Sequence, residues 1–257
     1  MERTTLTDEY EHSESDVEYI LENILQDDDG SDEYEELRKK FNSKIQKKCE
    51  KNEIDCKHGG NYEKVGGKLR LNENRQCLDL IYECTEECDC KFCCNKLVQF
   101  GPRDDLKIQH FPLKGLGLVS TKPIKKGSFV CEYAGEILTK SEAIRRDRND
   151  KKMNYIFCLN EINSEGNSKT IQTFIDPSRK GNIGRYINHS CDANCNIIST
   201  RVDSIIPKIA IFTNRDLPAY TEITFNYGAV ESIGEKEKKC FCNSQNCKIY
   251  LPNISFQ

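Results

Sequence analysis

The residues best suited to chemistry are concentrated in one stretch, residues 181–191, which contains two glycines, an arginine, an Asn-His pair and a cysteine. No helix or strand periodicity accounts for this composition. A histidine near a cysteine is weak evidence by itself. Here two further signals follow in order: the segment 222–228, with the sequence Glu-Ile-Thr-Phe-Asn-Tyr-Gly, and the cysteines of Cys240-x-Cys242-x4-Cys247. Three such signals in this order are strong evidence for a functional site.

The charge of the chain is divided unevenly. Residues 1–36 hold fifteen Asp and Glu residues against Arg3 alone, so the remainder carries 37 basic and 27 acidic residues, a net charge of +10. A basic body with an acidic arm suits a chromatin partner, and the alternative is a soluble body with a solvated tail. No run of about 18 apolar residues occurs, so we expect no membrane span. The acidic N-terminus lacks a leader peptide, so we expect no secretion.

The cysteines favour metal binding over disulfides. There are fifteen of them, and thiols stay reduced in the cytosol and nucleus, where a chain without a leader is expected to reside. Residues 45–99 are rich in cysteine and poor in core residues, so this segment needs a metal to hold its shape. Zinc is the first candidate, since closely spaced thiolates can complete a tetrahedral site.

The N-terminal arm, residues 1–44, is expected to be acidic and mostly disordered. Val17, Ile20, Leu21, Ile24 and Leu25 fall at helical spacing, which predicts a short amphipathic helix there. We expect it to be a frayed helix on a solvated tail, and docking of the helix is the alternative.

Short strands must position the functional residues in the rest of the chain. A capping box that begins at Thr139 predicts a helix running to about Arg148. Glycine and proline punctuate the other segments, which predicts a mainly β body of small curved sheets. Strands are predicted over residues 106–111, 117–121, 129–133, 155–159, 170–175, 196–200 and 208–213, with a turn at 164–167 between the fourth and fifth.

Together the motifs resemble those of the SET-domain protein lysine methyltransferases. The resemblance covers residues 45–257 and is strongest from Lys114 to Leu251. It implies small curved sheets with a knot-like C-terminal crossing, in which the segment containing Tyr227 threads residues 181–191. It also implies a degenerate pre-SET segment over 45–99, a SET catalytic domain over 100–228 and a zinc-binding post-SET tail over 229–257.

S-adenosylmethionine is the cofactor that the resemblance implies. The family's cofactor loop matches Lys114-Gly115-Leu116-Gly117, where glycine lets the backbone approach a ligand and Leu116 replaces the usual aromatic residue. Within the family, Asn188 and His189 hold the adenosine part mainly through backbone contacts, Arg185 braces the loop, and Tyr155 lies where cofactor and substrate channel meet. The cofactor-binding candidates are Lys114, Gly115, Leu116, Gly117, Tyr155, Arg185, Asn188 and His189.

The catalytic candidates are Tyr227, Tyr155, Tyr133 and Phe225. A lysine amine has a pKa of about 10.4 and is mostly protonated at neutral pH. A narrow aromatic channel favours the neutral amine, which must then lie in line with the methyl group and sulfur. The resemblance implies that Tyr227 orients the amine and Tyr133 lines the channel. Phe225 matches the family's Phe/Tyr switch, which sets how many methyl groups are added.

Two metal sites are implied. In the post-SET site, Cys191 joins Cys240, Cys242 and Cys247 to give the four thiolates of a closed structural zinc site. The alternative is three unrelated tail thiols and a core cysteine.

The pre-SET site is eroded, because Phe41, Ser43 and Ile54 stand where three of the family's nine cysteines are expected. The number of zinc ions there stays open, and Cys94 competes with Cys93 for one role. The remaining ligand candidates are Cys49, Cys56, Cys84, Cys88, Cys90 and Cys93.

The function that follows is a nuclear, chromosomal histone-lysine methyltransferase, with lysine 9 of histone H3 as the expected target and lysine 36 open. The expected partner is the H3 tail or a nucleosome, with DNA contact left open, and we expect a monomer. A methyltransferase of a non-histone protein would share every motif. A SET fold that only binds chromatin is the non-enzyme alternative, motivated by Leu116, by Asn226 in place of the usual Asp, and by the eroded pre-SET. Retention of the tyrosines favours an enzyme.

Overall fold

A computed structural model describes residues 6, 8–12, 14, 16–45, 59–75, 79–86, 88, 94–149, 155–162, 170–228 and 238–252. Short strands dominate these residues, which confirms the expected mainly β fold. The helices among them are α1 (Asp32–Phe41), α2 (Lys140–Asn149) and 3-10 turns at Val98–Phe100 and Ile183–Tyr186. No helix of the described residues is long and apolar enough to cross a membrane. The strands are β1 (Glu18–Tyr19), β2 (Ile24–Leu25), β3 (Tyr62–Val65), β4 (Lys68–Leu71), β5 (Leu80–Tyr82), β6 (Leu106–Phe111), β7 (Gly115–Ser120), β8 (Phe129–Tyr133), β9 (Glu136–Leu138), β10 (Phe157–Ile162), β11 (Thr170–Asp176), β12 (Lys180–Gly181), β13 (Asn188–His189), β14 (Cys195–Arg201), β15 (Lys208–Thr213) and β16 (Glu222–Phe225).

Three four-stranded sheets form the body of the described chain, with strand orders β10-β11-β9-β2, β13-β16-β7-β6 and β5-β14-β15-β8. Most neighbouring strands are antiparallel, but β13 and β16 run parallel. Apolar side chains of these strands share one fully buried core, which includes Leu118, Ile137, Ile209, Ile211 and Ile223. The body is therefore a set of small sheets around a common aliphatic centre.

The predicted strands agree closely with those observed. β6, β8 and β15 have the predicted bounds, whereas β7 begins two residues earlier and β10 two residues later than expected. β10 and β11 pair antiparallel, as predicted for the hairpin, and its turn at 164–167 lies outside the described residues.

The helix α2 begins where the capping box predicts. The Thr139 hydroxyl accepts from the backbone N–H of Glu142 at 3.2 Å. The N–H of Thr139, however, donates to the side chain of Gln26 at 2.7 Å, while Glu142 pairs with Arg145 and Arg146. A residue of the arm therefore completes this cap.

The prediction for the N-terminal arm is wrong in the part that the structure describes. Instead of a helix over Val17, Ile20, Leu21, Ile24 and Leu25, the chain forms β1 and β2, which pair in parallel with β12 and β9. Apolar side chains at helical spacing can also be buried by adding strands to the edges of existing sheets, and here Ile20 is buried in that way.

A helix does form in the arm, but further along the chain. The Ser31 hydroxyl accepts from the Tyr34 N–H at 3.1 Å and caps α1. Acidic residues in the first turn and basic residues in the last turn complement the helix dipole. Glu33 of this first turn accepts from the backbone N–H of Lys140 at 2.8 Å, so α1 also supports the start of α2.

The structure describes only two of the six predicted pre-SET zinc ligands. Cys49, Cys56, Cys90 and Cys93 lie outside the described residues. Cys84 is buried and Cys88 is half-buried, and their role as ligands stays a prediction.

Candidate active site

Residues 180–189 approach β8 closely at a position that requires glycine. β12 leads into the 3-10 turn Ile183–Tyr186, and the Asn182 side chain caps this turn by accepting from the N–H of Gly184 at 3.0 Å. A Cβ on Gly184 would lie 2.4 Å from the carbonyl oxygen of Glu132, so only glycine permits this approach to β8. The segment is held against the sheet just before the Asn-His pair.

β13 brings the first two motifs together. Asn188 pairs with Thr224 and His189 with Phe225 in parallel register. The backbone N–H of Ser190 also donates to the Phe225 carbonyl at 3.2 Å. The segment 222–228 therefore lies directly beside residues 181–191, the pairing that a crossing of these segments requires.

The His189 ring contacts both the segment 222–228 and Cys191, a predicted ligand of the post-SET zinc site. Its Nδ1 accepts from the backbone N–H of Tyr227 at 3.2 Å, so its proton resides on Nε2, which faces the Cys191 sulfur at 3.4 Å. Burial, assisted by the charges of Lys114 and Lys248, lowers the pKa of His189 to about 4. The ring is neutral near pH 7 and fixed at both nitrogens.

Four aromatic rings gather at the ends of β8, β10 and β16. Tyr133, Phe157 and Phe225 contact one another edge to face, with ring centroids 5.7–6.1 Å apart. Tyr227 packs on Phe225 at 4.8 Å. Phe157 was not among the residues singled out from the sequence, although it follows Tyr155 by two residues and begins β10. We call Tyr133, Phe157, Phe225 and Tyr227 the aromatic cluster.

The hydroxyls of Tyr227 and Tyr133 are both held by backbone carbonyls. Tyr227 donates to the Ile187 carbonyl at 2.8 Å, and Tyr133 donates to that of Tyr155 at 2.5 Å. Burial raises the pKa of both tyrosines, so both hydroxyls stay protonated at neutral pH. With its proton directed at Ile187, the Tyr227 oxygen keeps lone pairs for a substrate amine.

Two of the predicted cofactor residues, Lys114 and Asn188, contact the Glu222 side chain. Glu222 begins the segment 222–228 but was not among the residues singled out from the sequence. Its carboxylate pairs with Lys114 at 2.6 Å and accepts from the Asn188 amide at 3.0 Å. Asn188 also donates to the Leu116 carbonyl at 3.1 Å. A Cβ on Gly117 would meet Asn188 at 2.9 Å, so the glycine allows this close packing. The loop 114–117 and Asn188 are therefore in direct contact, so one ligand could touch both.

Arg185 packs against the ring of Tyr155. Its guanidinium is stacked 4.6 Å from the Tyr155 ring centroid and 5.1 Å from that of Tyr186. Its Nε donates to the Pro177 carbonyl at 3.1 Å, and its Nη1 pairs with Glu14. The side chain is only 3% exposed, so Arg185 contacts the Tyr155 ring from inside the protein.

The four predicted post-SET ligands do meet. The sulfur atoms of Cys191, Cys240, Cys242 and Cys247 all lie within 4.8 Å of one another, and those of Cys191 and Cys240 are 3.9 Å apart. Four Zn–S bonds of about 2.3 Å in a tetrahedron place sulfurs about 3.8 Å apart, so the cluster fits zinc. Burial tends to raise the pKa of Cys242, but hydrogen bonds that include one with Ser244 lower it to about 5, whereas burial raises the pKa values of Cys191 and Cys240. The fit to a metal therefore rests on the sulfur geometry.

Asn226 departs from the family pattern without disturbing the backbone. Its side-chain oxygen accepts from the Gly228 N–H at 3.1 Å. An amide oxygen can accept this hydrogen bond as a carboxylate would, so the local turn next to Tyr227 keeps its hydrogen bond without the charge.

Comparisons with known proteins agree with this geometry. The SET domain family model matches residues 115–228. The chain is 37% identical over 232 residues to the "Probable histone-lysine N-methyltransferase set-23" of Caenorhabditis briggsae, covering 88% of this chain and 90% of that one. The crystal structure of the human SETMAR methyltransferase domain superposes with a TM-score of 0.71 at 28% identity, covering 94% of this chain and 91% of that one. Arabidopsis thaliana SUVH6, solved in complex with SAM, gives a TM-score of 0.73 at 26% identity over 96% of this chain and 52% of that one. Since the similarity extends over nearly the whole chain and the fold joins the same motifs, the protein belongs to the SET-domain histone-lysine methyltransferases, enzymes that use S-adenosylmethionine.

Proposed function

We propose that this methyltransferase modifies histone H3, with lysine 9 as its first target and lysine 36 as the alternative. The observation that carries the proposal is the aromatic cluster, in which Tyr227 packs on Phe225 and Phe225 contacts Tyr133 and Phe157. The pre-SET resemblance supports lysine 9. The net charge of +10 outside the acidic residues 1–36 suits a nucleosome, whose DNA is acidic, and a nuclear, chromosomal location.

The aromatic cluster is suited to be the lysine channel. An ammonium group that enters it loses its hydration, and desolvation favours the neutral amine that can act as a nucleophile. The Tyr227 oxygen then orients the amine through a hydrogen bond, while Tyr133 and Phe157 limit its sideways movement. Phe225 is 2% exposed and apolar, so it leaves no partner for an ordered water beside the amine.

S-adenosylmethionine, when bound, supplies an electrophilic methyl group on a positively charged sulfur. The residues that would hold it are Asn188, His189, Tyr155 and the loop from Lys114 to Gly117, because these surround one surface next to Tyr227. We propose that the tail clamps this surface through a zinc ion on Cys191, Cys240, Cys242 and Cys247. The proposed parts are an arm over residues 1–44, a pre-SET over 45–99, a catalytic domain over 100–228 and a post-SET tail over 229–257.

The substrate peptide has an open place to bind. β10 is an edge strand of its sheet within the described chain, and Phe157 at its start belongs to the aromatic cluster. An extended peptide can pair with such an edge through main-chain hydrogen bonds while alternate side chains enter pockets. A lysine of that peptide would then reach the cluster.

Methyl transfer to recombinant histones tests the proposal. Nucleosomes and H3 peptides that span lysine 9 or lysine 36 are incubated with the full chain and the cofactor, and products are assigned by mass spectrometry. Transfer that disappears when lysine 9 is replaced by arginine is the expected result. Transfer confined to lysine 36 would correct the target, and no transfer to H3 in peptides or nucleosomes would overturn the choice of substrate.

A further inference from the structure

The acidic arm runs along the outside of the segment that leads to the cofactor residues. We call its described residues 8–12, 14 and 16–20 the N-terminal strap. β1 pairs with β12, the Ile20 N–H donates to the Gly181 carbonyl at 3.0 Å, and the Tyr19 hydroxyl accepts from the Ile183 N–H at 3.2 Å. The strap thus covers residues 180–183 through their backbone.

Side chains extend this contact to the end of the 3-10 turn. The His12 ring bridges two groups, with Nε2 2.8 Å from the Gly181 carbonyl and Nδ1 3.0 Å from the Tyr186 hydroxyl. The Glu14 carboxylate pairs with the Arg185 guanidinium. Both side chains of the strap thus hold residues that lie immediately before Asn188 and His189.

The pair of Glu14 and Arg185 is expected to matter more than the contacts of His12, because Arg185 is buried and charged. A buried cation is costly unless a carboxylate or several acceptors compensate it. Arg185 also supports the Tyr155 ring by stacking at 4.6 Å. The carbonyl of Tyr155 in turn accepts from Tyr133 of the aromatic cluster. A contact chain therefore runs from Glu14 through Arg185 to Tyr155 and the channel.

We propose that Glu14 is a positioning residue of the active site, which holds Arg185 under Tyr155 and thereby fixes the junction of cofactor and lysine channel. This rests on the proposed function, in which Tyr155 borders the channel. Without the carboxylate, the guanidinium turns toward water and the Tyr155 ring loses its support. The acidic arm is then a working part of the enzyme and not a solvated appendage.

Glu14→Gln tests the proposal because it removes one charge and almost no volume. Glu11→Gln is the matched control, since Glu11 belongs to the same strap and is exposed. We expect Glu14→Gln to lower kcat on the H3 substrate by about 10- to 100-fold, the order of effect of a small misplacement of reacting groups. Glu11→Gln should retain the parent kcat. An unchanged kcat in Glu14→Gln overturns the proposal.

A double-mutant cycle decides whether Glu14 acts through Arg185. In an Arg185→Gln background, Glu14→Gln should change kcat by less than about twofold, because the coupling is already lost. A reduction as large as in the parent background would show that Glu14 acts by another route, and the proposal would fail.

Hydrogen exchange measures the effect of the Glu14–Arg185 pair on the structure without requiring enzymatic turnover. Amides of 183–187 and 155–162 should exchange faster in Glu14→Gln than in the parent, and at the parent rate in Glu11→Gln. Identical exchange in all three proteins overturns the proposal. If the parent does not methylate H3, the choice of substrate fails alone, and the exchange comparison still decides the role of Glu14.

Discussion

The backbone N–H of Tyr227 donates to Nδ1 of His189 at 3.2 Å, while the other nitrogen of that ring faces the Cys191 sulfur at 3.4 Å. One buried imidazole therefore touches both the proposed catalytic residue and a proposed metal ligand. Its neutral form is the one that satisfies both contacts, because Nδ1 must accept and Nε2 must donate.

His189→Gln should weaken both ends of this connection. A glutamine cannot span the two contacts with a rigid ring, and loss of a group that supports a metal ligand typically costs about 10- to 100-fold in activity or metal affinity. Turnover and the rate of zinc release to a chelating dye are measured together. The exposed His110 supplies the control, His110→Gln. Wild-type turnover and zinc release in His189→Gln would contradict the prediction.

Tyr227→Phe should remove catalysis without unfolding the protein. The change deletes one hydroxyl, which donates to the Ile187 carbonyl, and leaves the ring packing on Phe225 and His189. We expect turnover to fall by roughly 100-fold or more, with a thermal midpoint close to that of the parent. Tyr220→Phe, at a tyrosine that is 60% exposed, is the control. Near-parent turnover at equal cofactor occupancy would rule out this role for Tyr227.

Cys242→Ser should release the metal of the tail. Three thiolates cannot close the tetrahedral site, so elemental analysis should find one zinc fewer per chain. Activity should be lost while far-ultraviolet circular dichroism keeps its strand signal. Cys195→Ala, at a buried cysteine outside the cluster, should keep the parent zinc content. Equal zinc content in Cys242→Ser and the parent would remove Cys242 from the site.

Phe225→Tyr should lower the number of methyl groups added. A hydroxyl on this buried ring can hold a water in the aromatic cluster, and displacing a well-bonded water by a methyl group that cannot replace its hydrogen bonds is unfavourable. We expect the parent to make di- or trimethyl-lysine and the variant to accumulate a lower state at a similar first rate. Phe100→Tyr, outside the cluster, is the control. Identical product distributions by mass spectrometry over a long time course would show that Phe225 is not the switch.

Glu83→Gln should reduce the stability of the protein. The Glu83 carboxylate is buried and accepts from the backbone N–H groups of Leu97, Val98 and Gln99 at 2.7–3.2 Å and from the Tyr62 hydroxyl at 2.7 Å. An amide presents its NH2 to some of these donors, and unsatisfied buried groups cost about 1–3 kcal/mol each. Urea unfolding measures the loss, with the exposed Glu86→Gln as control. Equal unfolding free energies would contradict this role.

The sequence was most informative where residue type limits the choice. Gly184, Asn188 and His189 occupy positions where close approach or fixed hydrogen bonds demand those residues, and their proximity to Tyr227 could be predicted from the motifs. The strands β6 and β15 were also predictable from local pattern, because apolar and polar residues alternate along most of β6, whereas β15 is a short apolar run typical of a buried strand.

The remaining features depend on contacts between distant parts of the chain. β1 and β2 are two residues long, and nothing local distinguishes them from a helix or loop until β12 and β9 offer an edge. Glu14 resembles every other acidic residue of the arm, because its importance comes from Arg185, far along the chain. Glu222 and Phe157 were likewise missed, although they stand within or beside recognised motifs.

The placement of residues 181–191 also determines when the enzyme can first work. Gly181 bonds to His12, 169 positions earlier, and Cys191 lies beside Cys240, 49 positions later. Contacts of such long range form slowly and late in folding. We therefore expect a nascent chain to pair β6 with β7 and β10 with β11 before Cys240 is made, whereas β8 must wait for β15. We expect a chain that ends before Cys240 to lack activity, because it would be missing three of the four thiols of the proposed zinc site.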